Sequence, residues 1–246
     1  MSIDKQQFDI ACKRVINVER ERNGIGTLGE KTLHMVLKCY YEPDDSKHEV
    51  KIGRHVADIC DGAQVTEIQT RNFDKMRKKL EAFLDEYIVT IVYPVPSTKW
   101  LLWIDEENGE VTQKRKSPKR GGIYELLQEL YRIKPFLTHP NLRLRITLLD
   151  IEEYRYLNGW SKDKKKGSSR CDRIPVDIVD EVDIAGAADY TRFVPDALTG
   201  QFTVKDYKKA AKVSDRTAGA ALGILHHMGA VKRVGKKGNA YLYERV

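Results

Sequence analysis

The sequence has few cysteines and lacks any long apolar run. Its four cysteines form no C-x-x-C pair, and its six histidines are scattered without metal-ligand spacing. This pattern argues against a disulfide framework and a zinc knuckle. The sequence contains no run of about 18 apolar residues that could cross a bilayer, and its first residues are not an apolar signal segment. We therefore expect a cytoplasmic protein with reduced cysteines and no membrane partner.

Acidic residues are too few to balance the basic ones. The sequence has 43 lysines and arginines against 36 aspartates and glutamates, which gives a formal net charge of +7. The excess is gathered in three loops that contain glycine, serine or proline. Clustered basic side chains favour a nucleic-acid partner, although charge runs are also common on solvated surface. The predicted nucleic-acid contacts are Lys114, Arg115, Lys116, Lys119 and Arg120 in the first loop, Lys164, Lys165 and Lys166 in the second, and Arg233, Lys236 and Lys237 in the third.

A length of 246 residues suits one medium domain and one small domain, each able to bury a core. The composition changes near residue 161, where a run rich in lysine, glycine and serine begins. We predict a first domain over residues 1–160, a basic loop with a linker or core extension over 161–200, and a second domain over 201–246.

Three acidic side chains and one amide occur on neighbouring predicted elements. Glu30 stands near the start of an apolar helix, and Asp58 stands in a short alternating run that ends at the turn Asp61-Gly62. The next run carries Glu67 and Gln69, which share one face because alternate strand residues point the same way. Carboxylates on adjacent elements can hold Mg²⁺ or Mn²⁺ against a phosphodiester, and solvated strand carboxylates are the alternative.

At these residues the sequence resembles the PD-(D/E)XK nuclease superfamily, whose core carries a helical Glu, a strand Asp and a Glu-x-Lys on the neighbouring strand. The pattern maps onto Glu30, Asp58, Glu67 and Gln69, and eight residues separate the two strand carboxylates. The resemblance implies in-line hydrolysis of a phosphodiester bond. In that mechanism Asp58 and Glu67 hold the cation, Glu30 completes the site, and Gln69 orients the attacking water.

One position departs from the superfamily pattern, because Gln69 stands where the lysine is expected. Glutamine can orient a water by hydrogen bonding but supplies no positive charge. Some members of the superfamily resemble this chain in having glutamine there. Lys75, Lys78 and Lys79 on the following predicted helix are candidates to supply the missing charge.

The remaining periodicity predicts an α/β fold. Residues 72–86 predict an amphipathic crossover helix, and residues 123–137 predict another helix. Residues 87–95 and 99–105 predict apolar strands that are buried on both faces and are separated by Pro94, Pro96 and Ser97. Residues 142–149 predict another apolar strand, with Arg143 and Arg145 on one face. Together with the resemblance, this pattern implies a restriction-endonuclease-like mixed sheet flanked by helices.

Residues 201–246 predict two helices followed by a hairpin. Thr203 is spaced three residues from Asp206, as in a capping box, and Ser214 precedes the second helix. The segment resembles a winged helix-turn-helix domain, which implies DNA binding, and a protein-interaction module is the alternative for such a domain. The second helix begins with one good base reader, Arg216, so we expect phosphate contacts to dominate and sequence specificity to be modest.

The predicted function is that of a Mg²⁺- or Mn²⁺-dependent deoxyribonuclease with a DNA-binding winged helix. One alternative is a DNA-binding protein with a degenerate nuclease core, acting as a regulator or a structure-specific binder. Another alternative is a protein-interaction adaptor, for which the basic loops would be incidental. A homodimer is compatible with the sequence, which leaves the oligomeric state, the DNA structure and the cleavage polarity open.

Overall fold

The structure, a computed structural model, describes residues 3–23, 32–105, 108–160 and 166–246. Within these residues the chain is a mixed α/β protein in which helices flank a large mixed sheet, and this part of the fold prediction is confirmed. No helix in this part of the chain combines the length and the apolar character that crossing a bilayer requires.

The elements of the described residues are labelled here in chain order. The helices are α1 Lys5–Asn23, α2 Thr32–Tyr41, α3 Arg77–Phe83, α4 Leu126–Leu130, α5 Val204–Ala211 and α6 Asp215–His227. The strands are β1 His48–Ile52, β2 His55–Cys60, β3 Gln64–Ile68, β4 Ile88–Ile104, β5 Arg115–Lys116, β6 Leu142–Trp160, β7 Lys166–Ile184, β8 Val231–Lys237 and β9 Ala240–Arg245. The 3₁₀ segments, called 3₁₀ turns below, are Asp45–Lys47, Phe73–Met76, Ile123–Glu125, Tyr131–Phe136 and Ala187–Phe193.

The strands of the large sheet follow the order β1-β2-β3-β4-β6-β7, and β5 pairs with β4. β2 and β3 are antiparallel neighbours, whereas β3 and β4 are parallel neighbours. A parallel pair needs a crossover connection, and α3 with the 3₁₀ turn before it lies in the connection from β3 to β4. The predicted order of a hairpin, a helix and a strand is therefore confirmed.

β4 is one continuous strand, so the prediction of two strands separated at Pro94 and Pro96 was wrong. Proline fixes φ at about −65°, which extended backbone tolerates, and it lacks only the N–H group of a ladder bond. The residue before a proline is also biased toward extended backbone. Each proline therefore removes one donor from β4 without ending the strand.

The predicted helix over residues 123–137 is divided into a 3₁₀ turn, α4 and a second 3₁₀ turn. Within the second turn Ile133 has non-helical backbone angles, φ −112° and ψ 19°, and Pro135 follows two residues later. Proline removes a helix donor and its ring clashes with the carbonyl group of the residue four positions earlier. An uninterrupted α-helix is therefore not formed here.

β6 continues well beyond the predicted strand of residues 142–149, and residues 166–184 of the predicted linker or extension form β7. The charges of this segment are typical of a loop in sequence, but some of them pair between the two strands. Arg145 donates from Nε and Nη2 to the carboxylate of Asp183, at 2.6 and 3.0 Å. Such pairs of opposite charge stabilise neighbouring strands.

The chain packs as two compact units, each assembled from three separated segments. The first unit contains Met1–Val50, Pro94–Gly121 and Thr147–Glu181. Residues from β4, β6 and β7 build an apolar cluster in this unit, so its core depends on segments far apart in sequence. The cluster consists of Leu102, Ile104, Tyr154, Cys171 and Ile174, with Ile16 and Tyr156 packed against it.

The second unit contains Lys51–Tyr93, Gly122–Ile146 and Val182–Val246. Its core includes the apolar face of α3 and of the 3₁₀ turn before it. Fully buried side chains from these elements and from the neighbouring strand β4 are Phe73, Leu80, Phe83, Val89 and Ile91.

The predicted helices and hairpin of residues 201–246 are confirmed as elements of the second unit. The Asp206 carboxylate accepts a bond of 2.8 Å from the Thr203 backbone N–H, which closes the capping box before α5. The Ser214 hydroxyl accepts a bond of 3.1 Å from the Thr217 backbone N–H and caps α6. β8 and β9 then pair as an antiparallel hairpin. The identity of this segment as a winged helix-turn-helix domain stays a prediction.

Candidate functional site

Asp58 and Glu67 lie on the two strands of the β2–β3 hairpin in the second unit. The antiparallel register pairs Ile59 with Thr66, and continuing it by one residue sets Asp58 opposite Glu67. Asp58 Oδ2 also accepts a bond of 2.8 Å from the backbone N–H of Ile68. The hairpin therefore brings two carboxylates together and fixes one of them by a bond between the strands.

Glu67 is a buried carboxylate paired with a lysine from the following helix. Its exposed fraction is 1%, although glutamate is seldom buried without a partner. The Nζ atom of Lys79 donates to both Oε1 and Oε2, at 2.9 and 2.7 Å. Lys79 lies on α3, whereas Lys75 and Lys78 are exposed. Among the three lysines considered from sequence, Lys79 is therefore the one that places a positive charge at the hairpin.

The environment of Glu67 works against its charge. Burial raises the pKa of its carboxyl group, the nearby charge of Asp58 raises it further, and the bonds from Lys79 offset only part of this, leaving the pKa at about 7. A second cation beside the two carboxylates would relieve their mutual repulsion. The pair therefore has the electrostatic character of a site that favours added positive charge.

Gln69 lies just beyond β3 and makes two hydrogen bonds. Its backbone N–H donates to the Val92 carbonyl group at 2.9 Å, and its side-chain Nε2 donates to the Arg71 carbonyl group at 2.8 Å. The second bond fixes the amide through its nitrogen. Oε1 is then the side-chain atom that can accept a hydrogen bond from water, as the predicted role requires.

Mg²⁺ fits the hairpin only in part. Glu30, predicted as a further ligand, lies outside the described residues. Among the residues that the structure describes, no group of three or more His, Cys, Asp or Glu side chains is placed to hold a metal ion. Mg²⁺ often binds through one or two carboxylates and completes its shell with water and substrate phosphate oxygens. Two carboxylates meet that requirement, but Lys79 would have to leave at least one oxygen of Glu67.

The first basic loop lies in the first unit and is attached to β4. Arg115 and Lys116 form β5, which pairs with Leu101 and Trp100 of β4. Lys114 Nζ lies 4.5 Å from the centre of the Trp100 ring. Lys119 and Arg120 are exposed. The loop therefore holds its cations at the surface of a strand.

In the second basic loop, Lys164 and Lys165 lie outside the described residues, and Lys166 begins β7.

The third basic loop lies on the β8–β9 hairpin, where tyrosine rings support the cations. The guanidinium group of Arg233 lies 4.3 Å from the centre of the Tyr241 ring, and Lys236 Nζ lies 5.1 Å from it. Arg233, Lys236 and Lys237 are all exposed. Cation–π contacts at exposed sites stabilise by about 0.5–1 kcal/mol, so the rings orient charges that remain accessible to an anionic partner.

Arg216 is exposed near the start of α6, but this helix also packs on α4. The Thr217 hydroxyl donates to Gln128 Oε1 at 3.4 Å. Arg216 lines a cavity of about 450 Å³ together with Gln128, Tyr131, Arg132, Gly219 and Ala220. Sequence reasoning missed Arg132, because nothing in a predicted helix surface shows that it meets α6. Arg216 therefore lies beside a second arginine.

Comparisons with known proteins show a family for this chain. A family model described as "Domain of unknown function (DUF8091)" matches residues 31–185, which is more than half of the chain, and the chain belongs to this family. An "Uncharacterized protein" of Treponema pallidum (strain Nichols) is 32% identical over 148 residues, which are 59% of this chain and 56% of that protein. No solved structure matches the chain. The hairpin carboxylates and Lys79 lie within the residues that the family model matches, whereas α5, α6 and the β8–β9 hairpin lie outside them.

Proposed function

We propose that this chain is a metal-dependent deoxyribonuclease whose site is the β2–β3 hairpin with Lys79. The observation that carries the proposal is the group formed by Asp58, the buried carboxylate of Glu67 and the Nζ atom of Lys79. It lies in the helix, three strands, helix and strand order that the resemblance to PD-(D/E)XK nucleases implies. A lysine is thus supplied to the carboxylates even though Gln69 occupies the usual lysine position.

The roles of the side chains follow from these contacts. Mg²⁺ or Mn²⁺, when bound, supplies Lewis-acid polarisation of a phosphate oxygen. Asp58 and Glu67 hold the cation through their carboxylate oxygens. With the cation held by Asp58 and Glu67, Lys79 would leave one oxygen of Glu67, and its ammonium group would stabilise negative charge that develops on the phosphate. Gln69 orients the attacking water through Oε1.

The exposed cations of the first and third basic loops support DNA as the substrate. Both loops hold lysine or arginine at the surface, and such side chains track a phosphate backbone without reading sequence. Arg216, the candidate base reader, lines one cavity with Arg132, which adds another cation. Phosphate contacts therefore outnumber candidate base contacts, which favours a nuclease of low sequence specificity.

A DNA-binding protein without cleavage is the second candidate, and the same lysine favours it. Lys79 already satisfies both oxygens of Glu67 with short bonds, which is the arrangement of a structural ion pair. In that case the hairpin would stabilise the second unit and the basic surfaces would carry the function. The two candidates differ in whether a divalent cation displaces Lys79.

The deciding experiment is cleavage of labelled single-stranded, duplex and branched DNA by the purified protein, with Mn²⁺ or with EDTA. We expect cleavage that depends on Mn²⁺ and that Asp58→Ala and Glu67→Gln each reduce. The reduction should exceed roughly 10- to 100-fold, which is the usual loss when a residue that only supports a metal ligand is substituted. Glu81→Gln is the matched control, because Glu81 is an exposed carboxylate on α3. Circular dichroism checks that the variants remain folded.

A titration with Mn²⁺, monitored by electron paramagnetic resonance, further separates the nuclease from the DNA-binding protein without cleavage. For a nuclease we expect binding that weakens in Asp58→Ala and is retained in Lys79→Met, since Lys79 competes with the cation for Glu67. Cleavage that persists unchanged in Asp58→Ala and Glu67→Gln would refute the site. DNA binding with neither Mn²⁺ binding nor cleavage would select the second candidate.

A further inference from the structure

A second group of charged side chains lies in the first unit, on β4, β6 and β7. Its centre is Glu153, whose exposed fraction is 0%. Lys99 Nζ donates to Glu153 Oε2 at 3.3 Å, Arg155 Nε donates to Oε1 at 2.8 Å, and Arg173 Nε donates to Oε2 at 3.3 Å. Arg170 Nε lies 3.7 Å from Oε2. We name these five residues the Glu153 cluster.

The Glu153 cluster gathers four cationic side chains around one carboxylate. The other acidic side chains nearby on β6 have different partners. Asp150 Oδ1 accepts a bond of 2.9 Å from the backbone N–H of Thr98. Glu152 accepts bonds from Lys114 Nζ at 2.6 Å and from the Tyr154 hydroxyl at 2.9 Å. Asp172, which is also fully buried, lies on β7 between Arg170 and Arg173. The cluster therefore places four cationic side chains around the carboxylate of Glu153.

Exposure differs between the centre of the cluster and its edge. The side chains of Lys99, Arg155, Arg170 and Arg173 are 21%, 29%, 29% and 24% exposed, whereas the side chain of Glu153 is fully buried. Solvent therefore reaches the four cationic side chains but not the carboxylate of Glu153, which they surround. An anion arriving from solvent would therefore meet these cationic side chains before it met the carboxylate of Glu153.

The pKa of Lys99 reflects both its burial and the charges around it. Burial lowers the pKa of its ammonium group, and the charges of Arg173 and Arg155 lower it further, while Glu153 opposes both effects without cancelling them. A bound anion would favour the charged form of this lysine.

We propose that the Glu153 cluster is a binding site for a phosphate group. Arginine offers several N–H donors in a planar fork that matches phosphate oxygens, and lysine adds a compact charge. A tetrahedral phosphate can accept hydrogen bonds from more donors at once than a carboxylate can. A phosphate therefore suits four cationic side chains better than a carboxylate ligand. The site shares no residue with the β2–β3 hairpin and does not rest on the proposed nuclease function.

The phosphate group has two sources that the same chemistry would recognise, a nucleic-acid backbone and a free phosphorylated small molecule. The first test uses inorganic phosphate as the probe, in EDTA so that the hairpin site plays no part. Isothermal titration calorimetry measures its binding against sodium chloride of equal ionic strength. We expect saturable phosphate binding to the wild-type protein that Lys99→Gln weakens by about tenfold, because one charge-assisted contact is lost.

The matched control is Arg145→Gln, which removes one cation from an ion pair with Asp183 in the second unit. It changes the net charge as Lys99→Gln does and should leave phosphate binding unchanged. Thermal unfolding of the wild-type protein supplies a measurement that needs no variant, since a ligand that binds only the folded state raises Tm. Phosphate that raises Tm no more than chloride of equal ionic strength would overturn the proposal.

A second arm identifies the source of the phosphate group. The affinity of a labelled duplex is measured over a series of salt concentrations for the wild type, Lys99→Gln and Arg145→Gln. A nucleic-acid source predicts that Lys99→Gln alone weakens duplex binding and reduces the salt slope by about one. A free phosphorylated ligand predicts unchanged duplex binding together with weakened binding of inorganic phosphate. Equal loss of phosphate binding in Lys99→Gln and Arg145→Gln would refute a site at the cluster.

Discussion

The buried carboxylate of Glu153 should make the first unit sensitive to acid. Burial alone raises the pKa of this group, but the charge of Lys99 and the bonds and charges of Arg155 and Arg173 outweigh burial and lower it to about 2. In the unfolded chain the group returns to its ordinary pKa of 4.5. Acidification therefore protonates the unfolded chain first and favours unfolding.

The size of the effect follows from these two values. The folded state binds fewer protons than the unfolded state between pH 4.5 and pH 2, so stability is full above this interval and falls as the pH is lowered through it. Over the whole interval the free energy of unfolding falls by about 3 kcal/mol, and about 2 kcal/mol of this is lost by pH 3. A domain is stable by only about 5–15 kcal/mol, so the loss is measurable.

Urea unfolding at a series of pH values from 7 to 3, followed by tryptophan fluorescence, tests this effect. Trp100, Trp103 and Trp160 all lie in segments of the first unit, so the signal reports the unit that contains Glu153. Glu153→Gln should remove about 2 kcal/mol from the difference between pH 7 and pH 3. It should also lower stability at pH 7, because the surrounding cations lose their counter-charge.

Glu152→Gln is the matched control, since it removes the adjacent carboxylate and leaves the Glu153 cluster intact. We expect its stability to fall between pH 7 and pH 3 as much as that of the wild type. If the wild type and Glu153→Gln lost the same free energy of unfolding over this interval, the lowered pKa of Glu153 would be refuted.

Three further predictions concern other parts of the chain. Gln69→Lys should preserve or raise Mn²⁺-dependent DNA cleavage, because a lysine there restores the superfamily pattern, and complete inactivation would show that Gln69 has a different role. Neutralising Lys236 and Lys237 should weaken binding to all DNA sequences about equally and reduce the salt slope by about one per lost contact, whereas Lys51→Gln, at an exposed lysine of β1, should not. Tyr207→Phe should cost about 1–2 kcal/mol in urea unfolding, because its hydroxyl donates a buried bond of 2.8 Å to a main-chain carbonyl group, and an unchanged midpoint would contradict this.

Local sequence patterns predicted the hairpin and the C-terminal elements well. β2 and β3 alternate regularly around a tight turn, and the caps Thr203 and Ser214 mark the starts of α5 and α6. These features depend on residues close in sequence. The element α1 was missed, although Phe8, Ala11 and Val15 recur at helical spacing and are buried.

Long strands were harder to predict, because tertiary contacts decide them. β7 carries alternating charges and a proline, which are typical of a loop in sequence. Its charged side chains are accommodated by partners on β6, such as Arg145 with Asp183 and Glu153 with Arg173. No local pattern shows that these partners exist, since 38 residues separate the first pair and 20 separate the second.

The same limit applies to the candidate site, because the sequence offered three lysines on the following helix without showing which of them reaches the hairpin. A strand motif predicts the side chains at Asp58, Glu67 and Gln69, since alternation fixes which of them share a face. Lys79 is 12 residues from Glu67 and reaches it only because α3 lies in the crossover between two parallel strands. A crossover helix of this kind packs on the face of the sheet, so a lysine on its inner side can place a positive charge beside a strand carboxylate. The candidate site therefore consists of the hairpin strands together with the crossover helix, which places a positive charge beside Glu67.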